Sequence, residues 1–155
     1  MSKISIEALE QKDKLLSDMQ SVILATTDKD GAPNSSYAPS VIGSDGSLYI
    51  YISELSKHTL NLVYNSNVSL MIIEDESSAE NLFARKRLTI SAEASEIERD
   101  SDNWIDKMSL LEDKFGEAIS YLRNLTDFRL FRLVPSQNFD CSLELEFENK
   151  AITTQ

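Results

Sequence analysis

The chain of 155 residues contains one cysteine, Cys141, and one histidine, His58. A lone thiol cannot form an intramolecular disulfide, which suits a reducing compartment. One Cys and one His far apart in sequence cannot supply the several such ligands a protein-built zinc site favours. No C-x-x-C, H-E-x-x-H or G-x-S-x-G pattern occurs, so nothing supports zinc chemistry or a serine nucleophile. G-x-G-x-x-G and P-loop patterns are also missing, which argues against dinucleotide and nucleoside-triphosphate binding. Basic residues are scarce, 15 against 26 acidic ones, for a formal net charge of -11. Such a field repels phosphate backbones and anionic lipid, so neither nucleic acid nor a membrane is an expected partner. No stretch approaches the roughly 20 apolar residues of a spanning helix. The first ten residues lack the apolar run of a signal peptide, and the expected location is the cytoplasm.

The composition that remains, 41% hydrophobic and 26% charged, is ordinary for a globular protein. The length predicts one domain over residues 1–155 with a real core, an N-terminal helix within 1–20 and a strand and tail over 136–155. Residues 6–19 read as an amphipathic helix, with Leu9, Leu15, Leu16 and Met19 on one stripe. Residues 22–27 are β-rich, and Asp28-Lys29-Asp30-Gly31 is turn chemistry. A second strand is expected from Pro33 through Ile42, a turn over 43–46 and a third strand over 48–52. Ser53 or Ser56 can cap a short helix running to about residue 65. Residues 68–73 form an apolar strand, 74–80 an acidic loop and 88–97 a long strand. Two helical pieces follow over 104–115 and 117–125, with Gly116 placed to break them. A strand over 128–134 stops at Pro135. In the tail, Phe139, Cys141, Leu143, Leu145 and Phe147 alternate with polar residues, the period of a half-buried strand. No repeat, low-complexity segment or interdomain linker is present. Many short strands with turn signals and a few helices predict a mainly β fold, a small antiparallel barrel with peripheral helices.

One constellation could carry chemistry. Ser53, Ser56, Lys57 and His58 gather at a helix start, where free N–H groups and the helix dipole favour an anion. Arg85, Lys86 and Arg87 form a basic triplet that stands out on an acidic chain. Guanidinium groups bind phosphate or carboxylate in bidentate fashion. Together these residues suit a small anionic ligand such as a flavin phosphate or a heme propionate. The plain alternative is a solvated triplet and an ordinary capped helix start.

Several stretches carry a resemblance: Asn34-Ser35-Ser36-Tyr37-Ala38-Pro39, Ser53-Glu54-Leu55, Asn61-Leu62, Ile73-Glu74-Asp75-Glu76 and Arg85-Lys86-Arg87-Leu88-Thr89. Over residues 21–135 the chain resembles the FMN-binding split-barrel superfamily around pyridoxamine 5'-phosphate oxidase, and within it the heme-utilisation branch. The resemblance implies an antiparallel split barrel that works as a homodimer. It implies cofactor contacts from Ser36, Tyr37, Ser53, Lys57, His58, Arg85 and Arg87. His58 stands where many flavoproteins of the superfamily carry a phosphate-binding Lys, a change typical of the heme branch. Asp127 matches an acid that supports the axial heme ligand there. The chain departs from that branch at its end: Ser142-Leu143-Glu144-Leu145-Glu146 replaces a glycine-rich strand, and no His follows His58. On this reading FMN is the expected cofactor of a flavin-dependent oxidoreductase. Heme binding is the alternative, and a dimer without a cofactor is a third. The resemblance names no catalytic residue.

Overall fold

The computed structural model describes residues 3–136 and 144–146. The helix α1 (Lys3–Asp18) leads into strands β1 (Ser21–Thr27) and β2 (Pro33–Pro39). The hairpin between them closes as its sequence requires. The Asp28 carboxylate accepts the N–H groups of Asp30 at 2.8 Å and Ala32 at 2.9 Å. Gly31 takes φ 86°, a conformation that favours glycine. β1 buries Val22, Leu24 and Thr26 and turns Ser21, Ile23 and Ala25 outward, the period of two that a half-covered sheet dictates.

Next come β3 (Val41–Ile42), β4 (Leu48–Ser53), α2 (Lys57–Tyr64) and β5 (Asn67–Ile73). After two short 3-10 turns follow β6 (Arg87–Ile97), α3 (Asp102–Phe115), α4 (Glu117–Leu122), β7 (Phe128–Pro135) and β8 (Glu144–Glu146). The strands form one antiparallel sheet in the order β2-β1-β5-β6-β7-β4-β3, with β8 also paired to β6. The sheet curls until β2 approaches β4. This mainly β curled sheet with peripheral helices is the expected split barrel. Most of the alternating tail lies outside the described residues. Glu144–Glu146 pairs with Arg87–Thr89.

The strand expected from Pro33 through Ile42 is two strands with different partners. β2 pairs with β1, and β3 pairs with β4. Ser40, fully buried, marks the crossing: its N–H donates to Gln20 O at 3.1 Å and its hydroxyl to Tyr49 O at 3.2 Å. Lys114, reaching in from α3, donates to Met19 O and Ser40 O, each at 2.7 Å. The chain changes partner where these bonds satisfy the backbone groups that the break leaves unpaired.

Two cores result. One fills the curl with Val22, Leu24, Leu70, Leu88, Ile90 and Phe131 among others. The second lies between the sheet and the α3–α4 layer, around Trp104, Met108, Leu111 and Ile119. Trp104, Met108 and Leu111 recur at the spacing of one helical face. β4 serves both: Leu48, Ile50 and Ile52 enter the first core, Tyr49 and Tyr51 the second. Hence its sequence is continuously apolar rather than alternating. Ser101 caps α3 by accepting Trp104 N–H at 3.1 Å, and α3 ends at Gly116 with φ 68°, as its sequence predicts.

Among the described residues, helices cover only one half of the outer sheet surface. Across β2, β1, β5 and β6 the row Tyr37, Ile23, Met71 and Thr89 is in register on the outward face. Tyr37 is 68% exposed and Ile23 39%. The row beside it is Ser35, Ala25, Ser69 and Ser91. In a chain of net charge -11, neither row carries a charged side chain.

Candidate functional site

The residues expected at the site fall into three places. Ser36, Ser53, Lys57 and His58 gather around the start of α2. His58 Nδ1 lies 2.8 Å from Ser36 Oγ, although the two are 22 residues apart. The helix is set onto the sheet by Asn61 Nδ2, which donates to Thr26 Oγ1 at 3.0 Å, and Asn65 Nδ2, which donates to Thr27 Oγ1 at 2.7 Å. His58 is thereby buried, 8% exposed, and loss of water holds its imidazole below the ordinary value of 6.5. Ser56 occupies the N-cap position, but its hydroxyl makes no capping bond. The Ser53 hydroxyl accepts Leu55 N–H at 3.1 Å instead. The N–H groups of Ala32 and Asp30, with a smaller contribution from the charge of Lys57, hold Asp28 below the usual carboxylate range.

Arg85 and Arg87 lie at a second place, the corner between β5 and β6. β6 begins at Arg87, opposite Ile73, so strand alternation does not extend to Arg85. Arg85 donates through Nε at 3.0 Å and Nη2 at 2.6 Å to the carbonyl of Glu74, and Nη1 lies 3.7 Å from Glu76. The Glu74 carboxylate in turn accepts Lys86 N–H at 2.8 Å. Arg85 therefore closes the loop over residues 74–86. Tyr37, the third, points away from Ser36 on the uncovered outer face. Asp127 accepts Glu54 N–H through its backbone carbonyl at 2.7 Å, while Arg129 pairs with Glu54 and Glu96 at 2.7 and 3.0 Å.

A cleft of about 480 Å³ opens between the end of α1 and the uncovered face. Ile23, Met71 and Ile73 give it an apolar floor; Lys14, Arg85 and Lys86 stand around it, with Asp18, Glu74 and Asp75 also present. Sequence reasoning reached Arg85 but missed Lys14, Met71 and the cleft itself, whose parts come from three distant segments. Ser36, Lys57 and His58 are not among its lining residues. Among the described residues no group of His, Cys, Asp and Glu is arranged to hold a metal ion, and no helix is long and apolar enough to cross a membrane.

An antiparallel split barrel with a cation-rimmed cleft opening on one sheet face defines a small split-barrel domain. The chain belongs to the pyridoxamine 5'-phosphate oxidase family, whose pattern matches residues 8–140. It is 50% identical over 114 residues to the heme oxygenase HutZ of Vibrio cholerae, a match that spans 74% of this chain and 64% of that relative. The crystal structure of HutZ, described as a heme storage protein of Vibrio cholerae, superposes with a TM-score of 0.82 at 42% identity, covering 88% of this chain and 93% of that one. Campylobacter jejuni ChuZ superposes with a TM-score of 0.77 at 32% identity, over 88% of this chain and 55% of that one.

Proposed function

We propose that the chain is a cytoplasmic heme-binding split-barrel protein that works as a symmetric dimer. The observation that carries the reading is the cleft, an apolar floor for a planar ring with Lys14, Arg85 and Lys86 at hand for its carboxylates. Flavin phosphate would suit the same cations, and the sequence alone ranks it first. Fifty per cent identity to a heme oxygenase favours heme over flavin. The match spans 64% of that relative, so heme cleavage is not carried over with binding.

The cleft shares Ile23 and Met71 with the uncharged outer rows, so the face that buries the cofactor is also the face suited to a second copy. Isologous packing would place uncharged rows against uncharged rows without bringing two acidic surfaces together. Bound heme supplies the redox-active iron. This chain would supply the rest: Lys14 and Lys86 would hold carboxylates, the apolar floor would exclude water, and His58 is the one imidazole in these 155 residues that iron could use. His58 lies outside the cleft of its own protomer, so its use by iron would require a second copy to bring the two together.

Hemin added to the purified chain tests the reading. A saturable Soret band is expected, lost in His58→Ala. Lys86→Ala should weaken binding roughly tenfold or more, the effect of one charge-assisted contact, and more than Arg87→Ala, because Lys86 lines the cleft and Arg87 does not. Saturable FMN binding with no response to hemin would assign the flavin reading instead.

A further inference from the structure

We infer that Ser36 is a positioning residue that holds His58 in the tautomer protonated at Nδ1, leaving Nε2 as an unprotonated donor atom. The ring is buried by its own helix and by β1 and β2, and the 2.8 Å contact to Ser36 Oγ is its one side-chain hydrogen bond among the described residues. A neutral imidazole has one N–H and one lone pair, so that contact has two forms. If the serine hydroxyl donated to Nδ1, the ring proton would sit on Nε2, and an N–H of a largely buried ring would be left without a protein acceptor among the described residues. If Nδ1–H donates to Ser36 Oγ, only a lone pair is left over. Orphaned buried donors are rarer than under-used acceptors, so the second form is favoured. Burial keeps the ring neutral, consistent with either form.

The charges around the ring leave this choice to Ser36. β2 presents Asn34 and Ser36, and β1 presents Thr26, already bonded to Asn61. Lys57, the neighbour on the same helix, acts on Asp28. Depressed by burial alone, the ring gains no resolved influence from any charged side chain. Nδ1 fixed by a protein acceptor and Nε2 kept basic is the arrangement found where an imidazole ligates a metal. The use of Nε2 toward iron rests on the heme reading above; the tautomer does not.

The test exploits the fact that His58 is the only histidine. A chain labelled with ¹⁵N-histidine and free of cofactor gives nitrogen signals from a single imidazole at neutral pH. The expected spectrum has a protonated Nδ1 and an imine-type Nε2. Free imidazole in water prefers the opposite tautomer, so the result discriminates. Ser36→Ala should release the ring toward the Nε2–H form, and Ser36→Thr, which keeps the oxygen, should retain the wild-type spectrum. A wild-type ring protonated at Nε2 overturns the inference, and that reading needs no variant to fold. So does a folded Ser36→Ala protein with an unchanged spectrum. Hemin titration then separates the two claims. Ser36→Ala should lose roughly 10- to 100-fold in affinity, the usual effect of removing an outer partner of a ligating histidine, with Ser36→Thr near wild type. The expected tautomer without hemin binding leaves Ser36 in its role and defeats the heme reading alone.

Discussion

Replacing Arg99, a partly exposed charge, should cost the protein substantial stability. Arg99 follows β6 and reaches beneath the segment that joins α4 to β7. Its Nη2 donates to Leu125 O at 2.7 Å, to Tyr51 Oη at 2.8 Å and more weakly to Phe128 O at 3.3 Å. Its Nη1 donates to Arg123 O at 3.1 Å, and the guanidinium carbon stands 5.0 Å from the centre of the Trp104 ring. A hydrogen bond from a charged donor contributes about 1.5–3 kcal/mol net. The three Nη2 contacts share one nitrogen and are not additive, so the two shortest are counted at the low end. Stacking on Trp104 adds about 0.5–1 kcal/mol for a half-buried cation. Arg99→Ala should therefore lose roughly 3–4 kcal/mol. Trp104 is the only tryptophan and lies in the contact, so urea unfolding followed by its fluorescence reads the site directly. With a slope of about 2 kcal/mol per molar urea, the midpoint should fall by roughly 1.5–2 M. Arg99→Lys keeps the charge but not the planar fork, and should recover less than half of the loss. A loss below about 1 kcal/mol in Arg99→Ala, or full rescue by lysine, would refute the assignment of the stability to the fork.

Three further outcomes are expected. Gly43→Ala would place a Cβ 2.7 Å from Tyr49 Cε2 and 3.0 Å from Asp45 Oδ1. Tyr49 is fully buried and tied to Asp45 and Arg132, so the ring cannot give way, and thermal unfolding should show a loss of about 1–3 kcal/mol. Ala25→Asp puts a carboxylate in the middle of the uncovered rows, opposite Ser35 and Ser69; sedimentation should show a folded monomer, and a persisting dimer would move the interface elsewhere. His58 titrates below its unfolded value of 6.5, so on acidification the unfolded chain takes up the proton first. Its contribution is therefore complete above about pH 6.5 and is lost as the pH falls toward the folded value, a slope that urea titrations should find reduced in His58→Gln.

What the sequence made legible is local. Asp28-Lys29-Asp30-Gly31 encodes its own turn, and Gly116 its own helix break, because the atoms that decide both lie within a few residues. The alternation of β1 is equally self-contained. What it hid is tertiary. Nothing in Pro39-Ser40-Val41 says that the chain leaves one strand partner for another, since the bonds that permit the break come from Gln20, Tyr49 and Lys114. The basic triplet reads as three equal cations, yet Arg85 is engaged by a carbonyl eleven residues earlier. Ser36 and His58 both belong to stretches that mark the resemblance, but only folding shows that they touch. The cleft was invisible for the same reason.

β4 has no side that faces water: Leu48 to Ile52 are all buried, alternately under the curl and under the helices. The strand is thus a party wall, and neither room can be taken down while the other stands. Detaching the α3–α4 layer would strip the cover from Tyr49 and Tyr51 while Leu48 and Ile50 stayed packed, so a half-open state is penalised rather than tolerated. The uncovered β2–β1–β5 half has no such wall. The molecule therefore joins an end that opens all at once to an end free to adjust, and the proposed cofactor and second copy both meet it at the adjustable end.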